Sequence, residues 1–317
     1  MSRLSIEPST EFVLNSFGVY ALSPVTLRAD LSERNKTNPM QQAAIHANSF
    51  QLVDIGANLT HSSFSHDLAQ VIANAQHKGV AAMIVTGASA EGSQAALALA
   101  RQYPGYLYAT AGLHPHHAHD FSGDVEDLFT DLLKHPQVLA AGECGLDYNR
   151  NFSPPADQCF AFERQLGLAI AANKPIFLHQ RDAHADFMAI LRAARPKLKT
   201  AVVHCFTGTE AELEDYLELD CFIGITGWIC DERRGTHLVD CVKKIPTNRI
   251  MLETDAPYLV PRTLKPQPKN RRNEPQFLPH ILHAVAHARG ESAEELAQAS
   301  TQNACQFFNF GLTSTAA

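Results

Sequence analysis

Val138-Leu-Ala-Ala-Gly-Glu-Cys-Gly-Leu-Asp147 begins as a four-residue apolar run and breaks into glycine and carboxylate. Residues 158–173 then carry helical spacing, and Pro175-Ile-Phe-Leu-His179 repeats the pattern of an apolar run closed by a polar residue. Runs this short are not buried helices. Rich in Val, Ile and Leu, they read as strands covered on both faces. The local unit is therefore strand, helix, parallel strand.

Working outward, the same rhythm recurs. Further apolar runs stand at 52–55, 80–85, 107–111, 201–203, 222–225 and 250–252, with helical patterns such as 67–77 and 182–195 between them. Eight strands alternating with helices over about 260 residues is the count and length of an α/β (β/α)8 TIM barrel. A doubly wound open sheet competes, but no G-x-G-x-x-G follows any strand to support its dinucleotide-binding form. The barrel domain is placed at 51–312 and a short tail at 313–317. Residues 1–50 have mixed charge, no sustained period and turn formers at Pro8, Pro24, Asn38 and Pro39. They read as a flexible extension, or as a misassigned start with Met40 the true first residue. Glu7 and Glu11 spoil a signal peptide's basic start.

The chain has 317 residues, 45% of them apolar, enough for one large core. No apolar run is long enough to span a bilayer. Seven cysteines without a C-x-x-C pair suit reduced thiols in the cytoplasm better than a disulfide framework or zinc knuckle. A net charge of −7 argues against a surface coated in basic groups for holding duplex DNA. It leaves room for an enzyme that admits one strand through a local basic funnel.

The chemistry lies at the strand ends. Strand three runs into Gly112-Leu-His-Pro-His116, strand four into Glu143, strand five ends at His179, strand six at His204, and strand eight at Glu253-Thr-Asp255. In a barrel these ends converge on one mouth. Taken singly, each residue has a bland reading: a strand-end histidine is usually a hydrogen-bonded structural residue, and Glu143 or Asp255 could cap a following helix. Glu143, His179, His204 and Asp255 converging together make an N/O metal site with room for water. Such a set suits Mg²⁺, Mn²⁺ or Zn²⁺. Asp255 is a candidate general base or a ligand, and Glu143 is grouped with it as catalytic. His114 and His116 lie outside this minimal cage, as candidates for contacting phosphate or assisting the leaving group. Between Ala256 and Asn273 stand Arg262, Lys265, Lys269, Arg271 and Arg272 with no acidic residue, a mouth-side loop where a phosphate backbone would arrive. Arg271 and Arg272 are its candidate substrate contacts. Trp228, beside Arg233 and Arg234, could stack a base, though packing under its own loop is the plainer reading.

The segments Gly112-Leu-His-Pro-His116, Gly142-Glu-Cys-Gly-Leu-Asp147, His204-Cys-Phe-Thr-Gly208 and Glu253-Thr-Asp-Ala-Pro-Tyr258 resemble the signature blocks of the TatD family. Residues 223–235 and Arg271-Arg-Asn-Glu-Pro275 are similar to the subgroup that gives the family its name. The resemblance covers roughly residues 53 to 310. It implies an amidohydrolase-like barrel, divalent metal at the strand ends and DNase activity. For the subgroup it implies magnesium-dependent 3′–5′ exonuclease action on single-stranded DNA, and on RNA. It also places Glu143, His179 and His204 on the family's metal ligands and Asp255 on its strand-eight aspartate. Most of the family carries His-x-His at the end of strand one, where this chain has Gly56 and Asn58. The subgroup lacks the pair too, so one well-held metal is expected, with any second ion recruited by substrate phosphate.

Two other readings compete with a single-strand nuclease working as a monomer. One is a metal-dependent deacylase, such as a D-aminoacyl-tRNA deacylase, since the same ligands suit attack on a carbonyl. The other is a non-catalytic partner protein that kept the fold. Retention of all four strand-end residues argues against the latter.

Overall fold

The computed structural model describes residues 51–312. The expectations for residues 1–50 and 313–317 lie outside the described residues. Eight parallel strands run in sequence order: β1 (Leu52–Ala57), β2 (Val80–Val85), β3 (Leu107–Ala111), β4 (Val138–Asp147), β5 (Ile176–Arg181), β6 (Ala201–Val203), β7 (Phe222–Ile225) and β8 (Ile250–Leu252). Helices α1 (Leu68–His77), α2 (Ala90–Gln102), α3 (Gly123–Leu132), α4 (Pro155–Ala172), α5 (His184–Ala194), α6 (Glu210–Glu218), α7 (Leu238–Lys244), α8 (Leu278–Arg289) and α9 (Ala293–Phe308) make the outer layer. This is the (β/α)8 barrel that the apolar rhythm implies.

Side chains alternate along each strand and build two cores. Ala82 and Ile84 of β2 join Ile55, Phe177, Val202 and Met251 in one cluster, the barrel interior. Met83 and Val85 turn the other way into the layer between sheet and helices. Phe307 and Phe308 of α9 extend the interior cluster. Asn303 donates to the carbonyls of Thr247 and Ile250 at the start of β8, and Thr301 donates to that of Gln51 ahead of β1. α9 therefore plugs the N-terminal end of the barrel and leaves the C-terminal end as the mouth. Its own start is fixed by a capping box between Ser292 and Glu295. α4 begins on Pro155, whose missing N–H costs nothing in a first turn, and ends at left-handed Asn173.

The barrel closes between β8 and β1 through polar groups. Asp255 N donates to the Gly56 carbonyl at 2.8 Å, and Asn58 N to that of Ala256 at 2.7 Å. Buried Asp54 accepts from Thr254 N at 2.9 Å and from Thr254 Oγ1 at 2.5 Å.

Three strands run further than their apolar runs: β1 to Ala57, β4 to Asp147 and β5 to Arg181. Apolar patterning ends where polar groups face a mouth, whereas backbone pairing continues. Gly145 pairs with His179, and Asp147 with Arg181. Glu143 and His179 therefore stand on paired strand, not in loops. β4 and β5 approach so closely there that a Cβ on Gly145, at φ +143°, would overlap the His179 carbonyl. Gly145→Ala is expected to destabilise the fold by about 3 kcal/mol or more, from overpacking and a forbidden backbone angle together. Urea unfolding checks this, and an unchanged midpoint would contradict it.

Candidate metal centre at the barrel mouth

A cavity of about 500 Å³ opens at the C-terminal end of the strands. Its centre is one carboxylate oxygen. Glu143 Oε1, at the bend of β4, lies 2.7 Å from His204 Nε2, 3.1 Å from His179 Nδ1 and 3.4 Å from His114 Nε2. His114, Glu143 and His179 each present a donor atom within 4.8 Å of the others. A second carboxylate, Asp147, sits 2.9 Å from His116 Nε2 and 3.4 Å from His179 Nε2. A third, Glu253, is fully buried and lies 3.3 Å from His204 Nδ1, so both nitrogens of that ring face carboxylates.

Electrostatics divide the histidines. Burial holds His114 well below the usual imidazole range, so it is neutral and carries a lone pair. Burial also opposes charge on His204 and Glu143, yet each holds the other charged. The His204 proton is bound well above its ordinary range, and the Glu143 carboxyl is kept well below its own. Burial resists charge on Asp147 as well, but the hydrogen bonds of His116 and His179 outweigh it and keep this carboxyl low. Burial pushes Asp255 up to about 7, and Asn58 Nδ2 donates to its Oδ1 at 3.0 Å.

The donor set fits a divalent cation. His179 Nε2 is buried with only a long 3.4 Å approach to Asp147 Oδ2, a weak pairing that ligation would improve. The proton held on His204 now offsets the clustered carboxylates, and a cation would replace it, as deprotonated ligands require.

Of the four ligands expected from the sequence, Glu143, His179 and His204 meet directly. Asp255 lines the same cavity, with its carboxylate held by Asn58. His114, expected outside the cage, belongs inside it. Its approach to Glu143 crosses from β3 to β4, which spacing along one chain does not reveal. His116 lines the cavity as expected, its ring 4.7 Å from that of Phe152. Sequence reasoning gives no role to Asp147 or Glu253, although each closes or opens one of the signature blocks. A signal for both exists, since each lies a few residues from an expected site carboxylate at the same strand end. Gly56 explains how Glu253 fits, because a Cβ there would overlap the Glu253 carboxylate.

The basic loop after β8 needs correction. Arg272 is no free phosphate contact. Its guanidinium donates to the Ser63 carbonyl, Asp67 and Glu274 and lies 4.8 Å over the Phe64 ring, tying the loop to the start of α1. Arg262 is likewise held by Glu232. Arg271, at φ +53°, is exposed and is not among the residues lining the cavity. An absence of acids in the loop's own sequence says nothing of acids brought to it by other elements. Trp228 packs partly buried under its loop, with Arg234 4.4 Å and Arg181 5.7 Å from its ring centre.

A parallel eight-stranded barrel with a His/Glu cluster at its C-terminal mouth defines a barrel hydrolase with a metal-type site. The chain belongs to the family described as TatD related DNase, which matches residues 53–309. A protein of Erwinia tasmaniensis named 3′-5′ ssDNA/RNA exonuclease TatD is 53% identical over 258 residues, covering 81% of this chain and all of the relative. A Dickeya dadantii protein of the same name is 52% identical over 260 residues, 82% of this chain and 98% of the relative. Among solved structures, a TatD homologue from Escherichia coli K12 is 29% identical with a TM-score of 0.75, covering 82% of this chain and 99% of its own.

His179→Ala is expected to keep the wild-type circular dichroism spectrum and lose hydrolysis by roughly a hundredfold or more. His204→Ala should lose activity too, and also melt earlier, because it strands the buried Glu143 charge. Wild-type turnover in His179→Ala would overturn the assigned centre.

Proposed function

We propose that this chain is a metal-dependent 3′–5′ exonuclease acting on single-stranded DNA and on RNA. The observation that carries this reading is the joining of His114, Glu143 and His179 in an open cavity, in a chain about half identical to proteins named for that activity. Direction and substrate rest on those relatives; the chemistry rests on the cavity.

The ion we propose is Mg²⁺, the one the family resemblance implies, held by His114, Glu143, His179 and His204; the imidazole-rich donors taken by themselves suit Zn²⁺ better, and Zn²⁺ and Mn²⁺ are the alternatives. When bound, a divalent ion supplies positive charge that stabilises the scissile phosphate and makes water nucleophilic near neutral pH. In this proposal Asp255 takes the proton of the attacking water. Asn58 fixes its Oδ1, while Oδ2 receives no hydrogen bond among the described residues. Burial, which disfavours its charged form, helps this carboxylate accept a proton. The water oxygen forms a bond to phosphorus as the bond to the leaving sugar oxygen breaks, and that oxygen takes a proton from solvent at the open mouth and departs as a hydroxyl. His116 Nε2 is tied to Asp147, which orients the ring at the cavity wall beside the substrate. We propose that the chain acts as a monomer through residues 51–312. No described helix is long and apolar enough to cross a membrane.

With purified protein and Mg²⁺, a single strand labelled at its 5′ end should give a ladder of shortening products, abolished by a chelator. Blunt duplex should be cut much more slowly, because a loop-ringed mouth admits one strand more readily than a duplex about 20 Å wide. Immediate release of the labelled 5′ nucleotide would reverse the direction, and equal rates on duplex would defeat the threading argument.

A further inference from the structure

We propose that Arg150 and Arg181, with Trp228 as a brace, form the clamp that grips the substrate's phosphate backbone beside the metal centre. The inference rests on the nuclease reading and names where that reading's substrate is held.

Several cations near the mouth are already paired with carboxylates. Arg272 and Arg262 are paired as described above. Arg233 and Arg234 both reach Asp231, at 3.0 and 3.2 Å. Arg150 and Arg181 line the cavity, and no carboxylate lies within ion-pair distance of either among the described residues. A guanidinium without a carboxylate beside three buried acids is placed for an anion that arrives from outside. Lys265, Lys269 and Arg271 do not line the cavity.

Strand geometry fixes where Arg181 points. His179 and Arg181 are two residues apart on β5, so their side chains leave the same face, toward the mouth. Arg181 is register partner to Asp147, and its carbonyl accepts from Tyr148 N at 2.9 Å. Arg150 N donates to Asp147 Oδ1 at 2.9 Å. Asp147 nonetheless meets neither guanidinium, because its carboxylate is committed to His116 and His179. Both arginines thus grow from backbone pinned next to the centre, and neither guanidinium meets a carboxylate among the described residues.

Trp228 steadies one of them. Its ring lies 5.7 Å from the Arg181 guanidinium carbon and 4.4 Å from that of Arg234, within cation–π range of both. Arg234 is already anchored by Asp231, so the ring links Arg181 to a fixed neighbour. Trp228 is a positioning residue on this account, and the planar, bidentate guanidinium is the group that recognises phosphate.

The test is equilibrium binding of a single strand whose 3′ linkages are phosphorothioates that resist cutting, followed by fluorescence anisotropy across a salt series in Mg²⁺. The double variant Arg150→Ala/Arg181→Ala should bind roughly tenfold or more weaker per arginine removed, and its log–log salt slope should fall by about 0.7 for each phosphate no longer neutralised. Arg150→Lys/Arg181→Lys should restore the slope but only part of the affinity, since lysine keeps charge without the fork. Trp228→Leu should weaken binding while leaving the slope near wild type. Circular dichroism confirms that each variant folds. A double alanine variant with wild-type affinity and slope would overturn the clamp alone. Wild-type binding without cutting of unmodified strands would overturn the nuclease reading and leave the clamp standing. Failure of the wild-type chain to bind the strand would overturn both.

Discussion

Everything at the mouth depends on holding the Glu143 carboxylate buried among three imidazoles. Alone in that position an ionised carboxylate would be prohibitive, because burial penalises charge without a partner. His204 meets the cost with its proton, and His114 and His179 close the remaining sides. Each of the four residues comes from, or directly follows, a different strand from β3 to β6, so only a barrel with fixed stagger brings them together. The arrangement also explains the two-sided embrace of His204, whose second nitrogen faces Glu253. A centre built this way is an excess of donors held at close range, with a proton standing where a cation would stand.

Small residues make the room. Glu253 is fully buried, and its carboxylate fills space that a side chain on Gly56 of β1 or Gly224 of β7 would need. Cys205 N donates to its Oε1 at 2.5 Å, which fixes the chain directly after His204. Asn58, two residues beyond Gly56, turns to Asp255 instead of to the cluster. The departure at the end of β1 therefore has a structural counterpart. Where most relatives of the wider family are expected to carry a second imidazole pair, this chain places a buried carboxylate and an amide that orients the candidate base.

How much of this is legible in the sequence follows from what each signal measures. Apolar runs report burial on both faces, and all eight strands show it, so the barrel is readable. The same signal stops where strands become polar, which is why β4 and β5 extend beyond their runs to Asp147 and Arg181. Glu143, His179, His204 and Asp255 are readable because strand ends in a barrel must converge. Membership of His114 in the cage is not, since it depends on how the turn after β3 folds back over β4. The rim misleads for a related reason. A loop with five basic residues looks free until Asp67 of the turn before α1 and Glu232 of a distant loop are brought to it. Arg150 and Arg181 are silent in the sequence because neither stands in a basic run; only the fold shows that they face the cavity without carboxylate partners.

The central claim is that Glu143 and its histidines form one well-held cation site. Anomalous diffraction from crystals grown with Mn²⁺ tests it directly, because the ion can be located without reference to activity. The account predicts a single strong peak bounded by His114, Glu143 and His179, with His204 turned from Glu143 toward the ion. A strong peak beside Gly56 and Asn58 with none at Glu143, or no bound ion at all, would contradict it.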